Sequence, residues 1–240
     1  MHTLLKEMKE KAFWIATEQL CAKEIPLPEG LGEIHGDLRG TPVIMESKAW
    51  QNDTFRLIRY TGLHAGDRIS TFNFVLYPQD EFDAPIFASD WVILGGNLRI
   101  AVIDAMPLFP DESDYHHEWV RPFTPLQQQS AQIAPVFERK LSWSTKYLGA
   151  SACLATNASE GSLPQLAALW ESYLSMYLEL TNSLSPIGRE REEKVQAWHQ
   201  AYNKAHREVE DKRNPYMVYF GQETGERFNK EFLFSDRFGR

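Results

Sequence analysis

Cysteine is nearly absent from this 240-residue chain: Cys21 and Cys153 stand far apart, outside any Cys-x-x-Cys pair. That argues against a disulfide-built secreted fold, and two isolated thiols cannot alone hold an iron–sulfur cluster or a structural zinc. Long apolar runs are missing as well; none approaches the about 18 residues of a membrane span. Neither a GxGxxG nor a GxxxxGK motif occurs, so a dinucleotide or P-loop enzyme has no support. His116 and His117 are adjacent, face different ways in any regular element, and have no HExxH or HxH pattern, which disfavours a metal site. GASAC at 149–153 lacks a nucleophile-elbow pattern. Basic residues are in the minority, 25 against 33 acidic, for a net charge of -8. Nucleic acid is therefore not an expected partner, since phosphate binding needs a basic footprint. The N-terminal MHTLLKEMKEKAFWIATEQL has no apolar signal-peptide core, and its acids disfavour a transit peptide. A reducing, cytoplasmic-type compartment is expected, with no membrane partner.

What is abundant is apolar and aromatic: 43% of residues are hydrophobic and 12% are Phe, Trp or Tyr. That suffices for one sizeable core, so residues 1–240 are read as one domain. Leu4, Leu5, Met8, Ala12, Ile15 and Ala16 make one helical stripe, predicting a helix over 3–22 that IPLPEGLG (25–32) ends. The period then changes. Strand-like runs fall near 33–39, 42–50, 55–62, 68–77, 86–94 and 98–106, separated by turn residues such as Gly66-Asp67 and Gly95-Gly96-Asn97. Connections this short fit antiparallel neighbours, giving one sheet of about six strands. Prolines at 122, 125 and 135 keep the helices of 114–140 short. Longer helices are predicted over 163–184 and 189–211, with GERFNKEFLF helical near the C-terminus. A strand block flanked by helices predicts an α+β fold, a three-layer α/β/α sandwich around a central antiparallel sheet.

Alternation along ISTFNFVLY (69–77) puts Ser70, Phe72, Phe74 and Leu76 on a core-like face and Asn73 on a mixed one. Along IFASDWVIL (86–94), Asp90 shares a face with Ile86, Ala88, Val92 and Leu94. An acid among apolar neighbours is costly to ionise, and desolvation pushes it towards the protonated form that suits a proton donor. The competing reading is a buried Asp that anchors backbone. Asp104, near a strand end, favours that structural reading. Asp211, in a charged helix end before Asn214-Pro215, suits a cap or surface ion pair by pattern alone.

PLPEGL (26–31) and FRLIRYTGLHAGDRISTFNFVLYPQDEFDAPIFASDWV (55–92) resemble the ferredoxin-dependent bilin reductases. The likeness rests on AGD, then FNFVLYP, then PIFASD, and on YLSMYLEL (173–180), an EDxxxxYM element (210–217) and FLF (232–234). It covers most of the chain, with 111–165 matching only loosely. The resemblance implies a bilin held between the sheet and the C-terminal helices. No bound cofactor is implied; reduced 2Fe–2S ferredoxin is the external electron donor, and protons arrive from side chains and water through bilin radicals. It assigns Asp90 as the central-sheet acid, Asp211 as the second, C-terminal acid, and Asn73 to the place where phycocyanobilin-forming members carry a histidine. Those members have a glutamate where Thr61 stands here. Asn, Asp, Asp points instead to the phycoerythrobilin or phytochromobilin branch, with biliverdin IXα reduced at its 15,16 double bond, and continued reduction to phycoerythrobilin as runner-up. The resemblance further implies a monomer in a cyanobacterial or phage-infected type of host, with a downstream bilin reductase or bilin lyase as partner. A rival of another class is a non-catalytic bilin or heme carrier, which has no need of a buried acid facing its ligand; a third reading is an unrelated binder of apolar ligands. A net acidic chain that docks an acidic ferredoxin requires a local basic patch, for which Arg189, Arg191, Lys194, Lys204, Arg207, Lys212 and Arg213 are candidates; their competing reading is an ordinary solvated face paired with acids.

Overall fold

The computed structural model describes residues 2–136 and 147–239, with the backbone alone at 2 and 209–213. The six alternating segments form strands, here β2 (Glu33–Leu38), β3 (Thr41–Gln51), β4 (Phe55–Ala65), β5 (Ile69–Pro78), β6 (Ile86–Leu94) and β7 (Asn97–Met106). Two more short ones join them, β1 (Lys23–Glu24) and β8 (Cys153–Ala155), so the sheet counts eight strands among the described residues. Strands of two and three residues are too short to display alternation, so sequence periodicity misses them. The order is β1-β3-β4-β5-β6-β7-β8, every pairing antiparallel, with β2 also on β3. β1 and β2 share the outer side of β3: β1 takes Trp50 and Gln51, β2 takes Thr41 to Glu46. Between them Ser47 N–H donates to the Gly32 carbonyl (2.8 Å) and Ile25 N–H to the Ala49 carbonyl (2.9 Å). The β6–β7 hairpin turns on Gly95 and Gly96, both at positive φ (55° and 78°), where any side chain would be strained.

Helices cover both faces. On one, Phe72, Phe74, Leu76, Phe87 and Trp91 pack under helix α1 (His2–Trp14), the short α2 (Ser113–Trp119) and α3 (Thr124–Ile133), and α4 (Leu163–Thr181). The predicted α4 stripe is buried from Leu166 to Leu178, and Trp170 meets Phe72 edge-on at 5.4 Å. The predicted helix over 3–22 is interrupted: α1 stops at Trp14 and the chain widens into a π-turn over Ile15–Gln19, Leu20 N–H reaching back to the Ile15 carbonyl. Its apolar stripe still packs inward.

On the other face Met45, Ala49, Leu57, Val75, Tyr77, Ile86, Ala88 and Met106 meet Tyr202 of helix α5 (Arg189–Arg213) and the π-turn Phe228–Leu233 that follows α6 (Pro215–Phe220) and α7 (Gln222–Arg227). α6 lies against β2, and a Cβ on Gly36 would come within 2.1 Å of the Tyr219 carbonyl oxygen. Because the obstacle is backbone, Gly36→Ala must push α6 off the strand. We expect a loss of about 1–3 kcal/mol in denaturant unfolding, a typical cost of overpacking; unchanged stability would show that α6 adjusts freely.

Candidate active site

The second face is tightly covered at the Tyr77 end and less so along Thr71, Asn73, Asp90, Val92, Ile100 and Val102, all half-buried. Strand register brings three of the resemblance-assigned positions together. Thr61, Asn73 and Asp90 stand directly opposite one another on β4, β5 and β6, with Val102 next on β7. Cross-strand neighbours on one face are about 4.5–5.5 Å apart at Cβ, close enough for short side chains to interact.

Asn73 Nδ2 donates to Asp90 Oδ1 over a long 3.5 Å, and Asn73 Oδ1 accepts from Arg59 Nη2 at 3.2 Å. Arg59 comes from the same face of β4, is only 2% exposed, and also donates through Nη1 to the Leu233 carbonyl. The Phe232 and Phe234 rings lie 5.8 Å from its guanidinium carbon. Burial pushes the Asp90 carboxyl up to about 6, against the opposing pull of the Asn73 amide and the Arg59 charge. The result is an acid that exchanges its proton near neutral pH.

Asp104 lies diagonally across from Asp90, opposite Ala88, and is fully buried. Its Oδ2 accepts from Gly149 N–H at 2.7 Å, while Oδ1 has no hydrogen-bond partner among the described residues. Burial raises this carboxyl to about 7. The expected structural role therefore holds: a strand-end acid anchors the backbone of a segment 45 residues on. Asp211 falls in the last turn of α5, and its side chain lies outside the described residues.

Sequence pattern missed Arg59, Tyr202 and His206. Arg59 carried the same signal that singled out Asp90, a charge at a central-strand position between Leu57 and Thr61. The rings of Tyr202 and His206 pack at 4.1 Å, tilted by 43°, on α5 and look like core aromatics in sequence. Burial holds His206 down at about 4, so it is neutral at physiological pH.

The five described basic candidates are all paired. Arg189, Lys194 and Lys204 make exposed bridges to Glu193, Glu190 and Glu208 within α5. Arg191 binds Asp83 (3.1 Å) and Glu112 (2.7 Å), and Arg207 binds Asp236 (2.8 Å), tying α5 to neighbouring segments. The solvated-face reading fits the first three. Arg191 and Arg207 are structural ties. The side chains of Lys212 and Arg213 lie outside the described residues. Among the described residues no cluster of His, Cys, Asp or Glu could hold a metal, and no helix is long and apolar enough to cross a membrane.

Comparison with known proteins meets this geometry from the other side. The chain is 28% identical over 244 residues to a phycoerythrobilin:ferredoxin oxidoreductase of Gloeobacter violaceus, covering 97% of this chain and 95% of that one. A 15,16-dihydrobiliverdin:ferredoxin oxidoreductase of Nostoc punctiforme is 26% identical over 211 residues, 88% and 86% of the two chains. The fold matches the crystal structure of selenomethionine phytochromobilin synthase from tomato in complex with biliverdin, with a TM-score of 0.87 at 17% identity, over 96% of this chain and 83% of that one. The model of the ferredoxin-dependent bilin reductases matches residues 11–235, and the chain, an oxidoreductase, belongs to that family.

Proposed function

We propose that the protein reduces biliverdin IXα at its 15,16 double bond, yielding 15,16-dihydrobiliverdin on the route to phycoerythrobilin. The reaction adds two electrons and two protons. Two reduced 2Fe–2S ferredoxins each deliver one electron, the bilin passing through a radical, and the protons come from an acid side chain and water. The observation that carries this reading is the Asn73–Asp90 pair on the half-buried face, with Asp90 buried enough to hold a proton near pH 6. Asp90 is the proton donor and Asn73 orients it. No group of the protein's own is needed for electron transfer. The chain acts as one domain and as a monomer, handing its product to a downstream bilin reductase or bilin lyase. Relatives named 15,16-dihydrobiliverdin:ferredoxin oxidoreductase support the two-electron step.

A second reading, four-electron reduction to phycoerythrobilin or completion of it from dihydrobiliverdin, is favoured by the phycoerythrobilin-named relatives of equal or greater coverage. In that reading Asp211 serves the A-ring vinyl system, because the end rings of the bilin are too far apart for one acid to serve both. Anaerobic incubation with biliverdin and a reduced ferredoxin system, followed by chromatography, tests both. We expect dihydrobiliverdin from the wild type and from Asp211→Asn at equal rates. Phycoerythrobilin from the wild type, with Asp211→Asn halting at the dihydro product, replaces the first reading by the second.

A further inference from the structure

Arg59 is a buried cation that the proposed chemistry does not use. Its guanidinium can only donate, so whatever faces it must accept. Of the two ends of the Asn73 amide, Oδ1 must therefore turn to Arg59, leaving the NH2 for Asp90. This agrees with the observed contacts of 3.2 Å and 3.5 Å. The other arm of the fork holds the Leu233 carbonyl, in the FLF segment that closes the second face. A planar fork serving two acceptors fixes direction as well as charge, which a flexible ammonium cannot do equally.

We propose that Arg59 is a positioning residue: it locks the Asn73 amide with its NH2 towards Asp90 and ties that pair to the C-terminal turn through Leu233. The inference rests on the reading of Asp90 as the proton donor. The lock and the positive charge both favour the ionised carboxylate, so they oppose desolvation and keep Asp90 able to release a proton. Without Arg59 the amide is free to rotate and present Oδ1 to Asp90, which favours the protonated acid, and the nearby charge is lost as well. Among the described residues, the other titratable groups around this pair include Asp104 on β7, Tyr77 on β5, whose ring centre lies 6.0 Å from the Arg59 guanidinium carbon, and Tyr202 and His206 on α5. Each of them is retained in the variants below.

The test is a titration of Asp90 in the resting protein by carbon NMR of 13C-carboxyl aspartate, the resonance identified by its absence in Asp90→Asn. In Arg59→Gln the midpoint should rise from about 6 by on the order of one pH unit, and the pH profile of kcat should move the same way. A folded Arg59→Gln protein that titrates at the wild-type midpoint overturns the proposal. If that variant does not fold, Arg59→Lys carries the test. Lysine keeps the charge but cannot hold both acceptors in a fork, so the midpoint should rise by less; a wild-type midpoint there overturns the amide lock. Wild-type turnover in Asp90→Asn would instead sink the donor role of the acid, leaving the titration result as a separate matter.

Discussion

Asp90→Asn should bind biliverdin with near wild-type affinity and turn it over about 10²- to 10⁴-fold more slowly, the usual worth of a positioned general acid. An amide has the volume of a carboxyl and can still meet Asn73, so the face keeps its shape. What disappears is a group whose proton leaves near neutral pH: burial lifts Asp90 to about 6, close to the working range of a donor at pH 6–7. Above that midpoint the protonated fraction falls about tenfold per pH unit, so the wild-type rate should decline on the alkaline side and the residual rate of the variant should not follow it. Single-turnover absorption under anaerobic conditions separates binding from reduction. A variant that reduces biliverdin at the wild-type rate would remove Asp90 from the chemistry.

The second large effect is on stability and runs opposite to ordinary acid denaturation. Asp104 has a folded-state carboxyl raised from 3.8 to about 7, so between those values the folded protein holds a proton that the unfolded chain has released. Stability therefore falls as pH rises through that window, by up to about 1.4 kcal/mol per pH unit for one such proton. Asp90 adds to the fall between about 4 and about 6, whereas His206, lowered from 6.5 to about 4, acts in the opposite direction over nearly the same range. Comparison with Asp104→Asn isolates the single residue. Its oxygen can still accept from Gly149 N–H, and its NH2 replaces the acid proton with an equally unmet donor, so the variant should match wild type near pH 4 and exceed it by several kcal/mol at pH 7. Denaturant melts at both pH values decide the matter; parallel curves would mean that Asp104 is ionised in the folded protein.

Much of this was legible in the sequence because the fold is built from strongly periodic pieces. Phe72, Phe74 and Leu76 alternate with Asn73 and Val75 and cover opposite faces as alternation requires. The α4 stripe recurs at helical spacing and is buried throughout. Asp90 and Asn73 were visible as polar residues at strand positions, but the β5–β6 register that sets them side by side is fixed by packing, since the link over 79–85 is no tight turn. The missing parts have physical reasons too. β1 and β8 are shorter than any period. The bend of the first helix into a π-turn leaves its apolar spacing unchanged. Arg59 reaches Leu233 across 174 positions of chain, a contact no local pattern encodes. The pairing of Arg191 with Asp83 and Glu112 is likewise a product of tertiary packing; composition alone made it look like spare charge.

The way β1 and β2 divide the outer side of β3 bears on how copies of this protein meet one another. A sheet border with a long row of unmet N–H and C=O groups invites a strand from a second molecule and seeds aggregation. Here the long strand β3 is capped over its described length by two short ones and by the bonds from Gly32 and Ile25 between them. β2, now outermost, carries Glu33, His35 and Asp37 as exposed side chains and has α6 lying against Gly36. At the opposite border β8 is three residues long, and Val136 bridges to Ala155. Among the described residues an incoming strand would find short, charged or already occupied borders, so an aromatic-rich sheet of this size is guarded against edge-to-edge pairing by short outer strands, two of which, β1 and β8, periodicity overlooks.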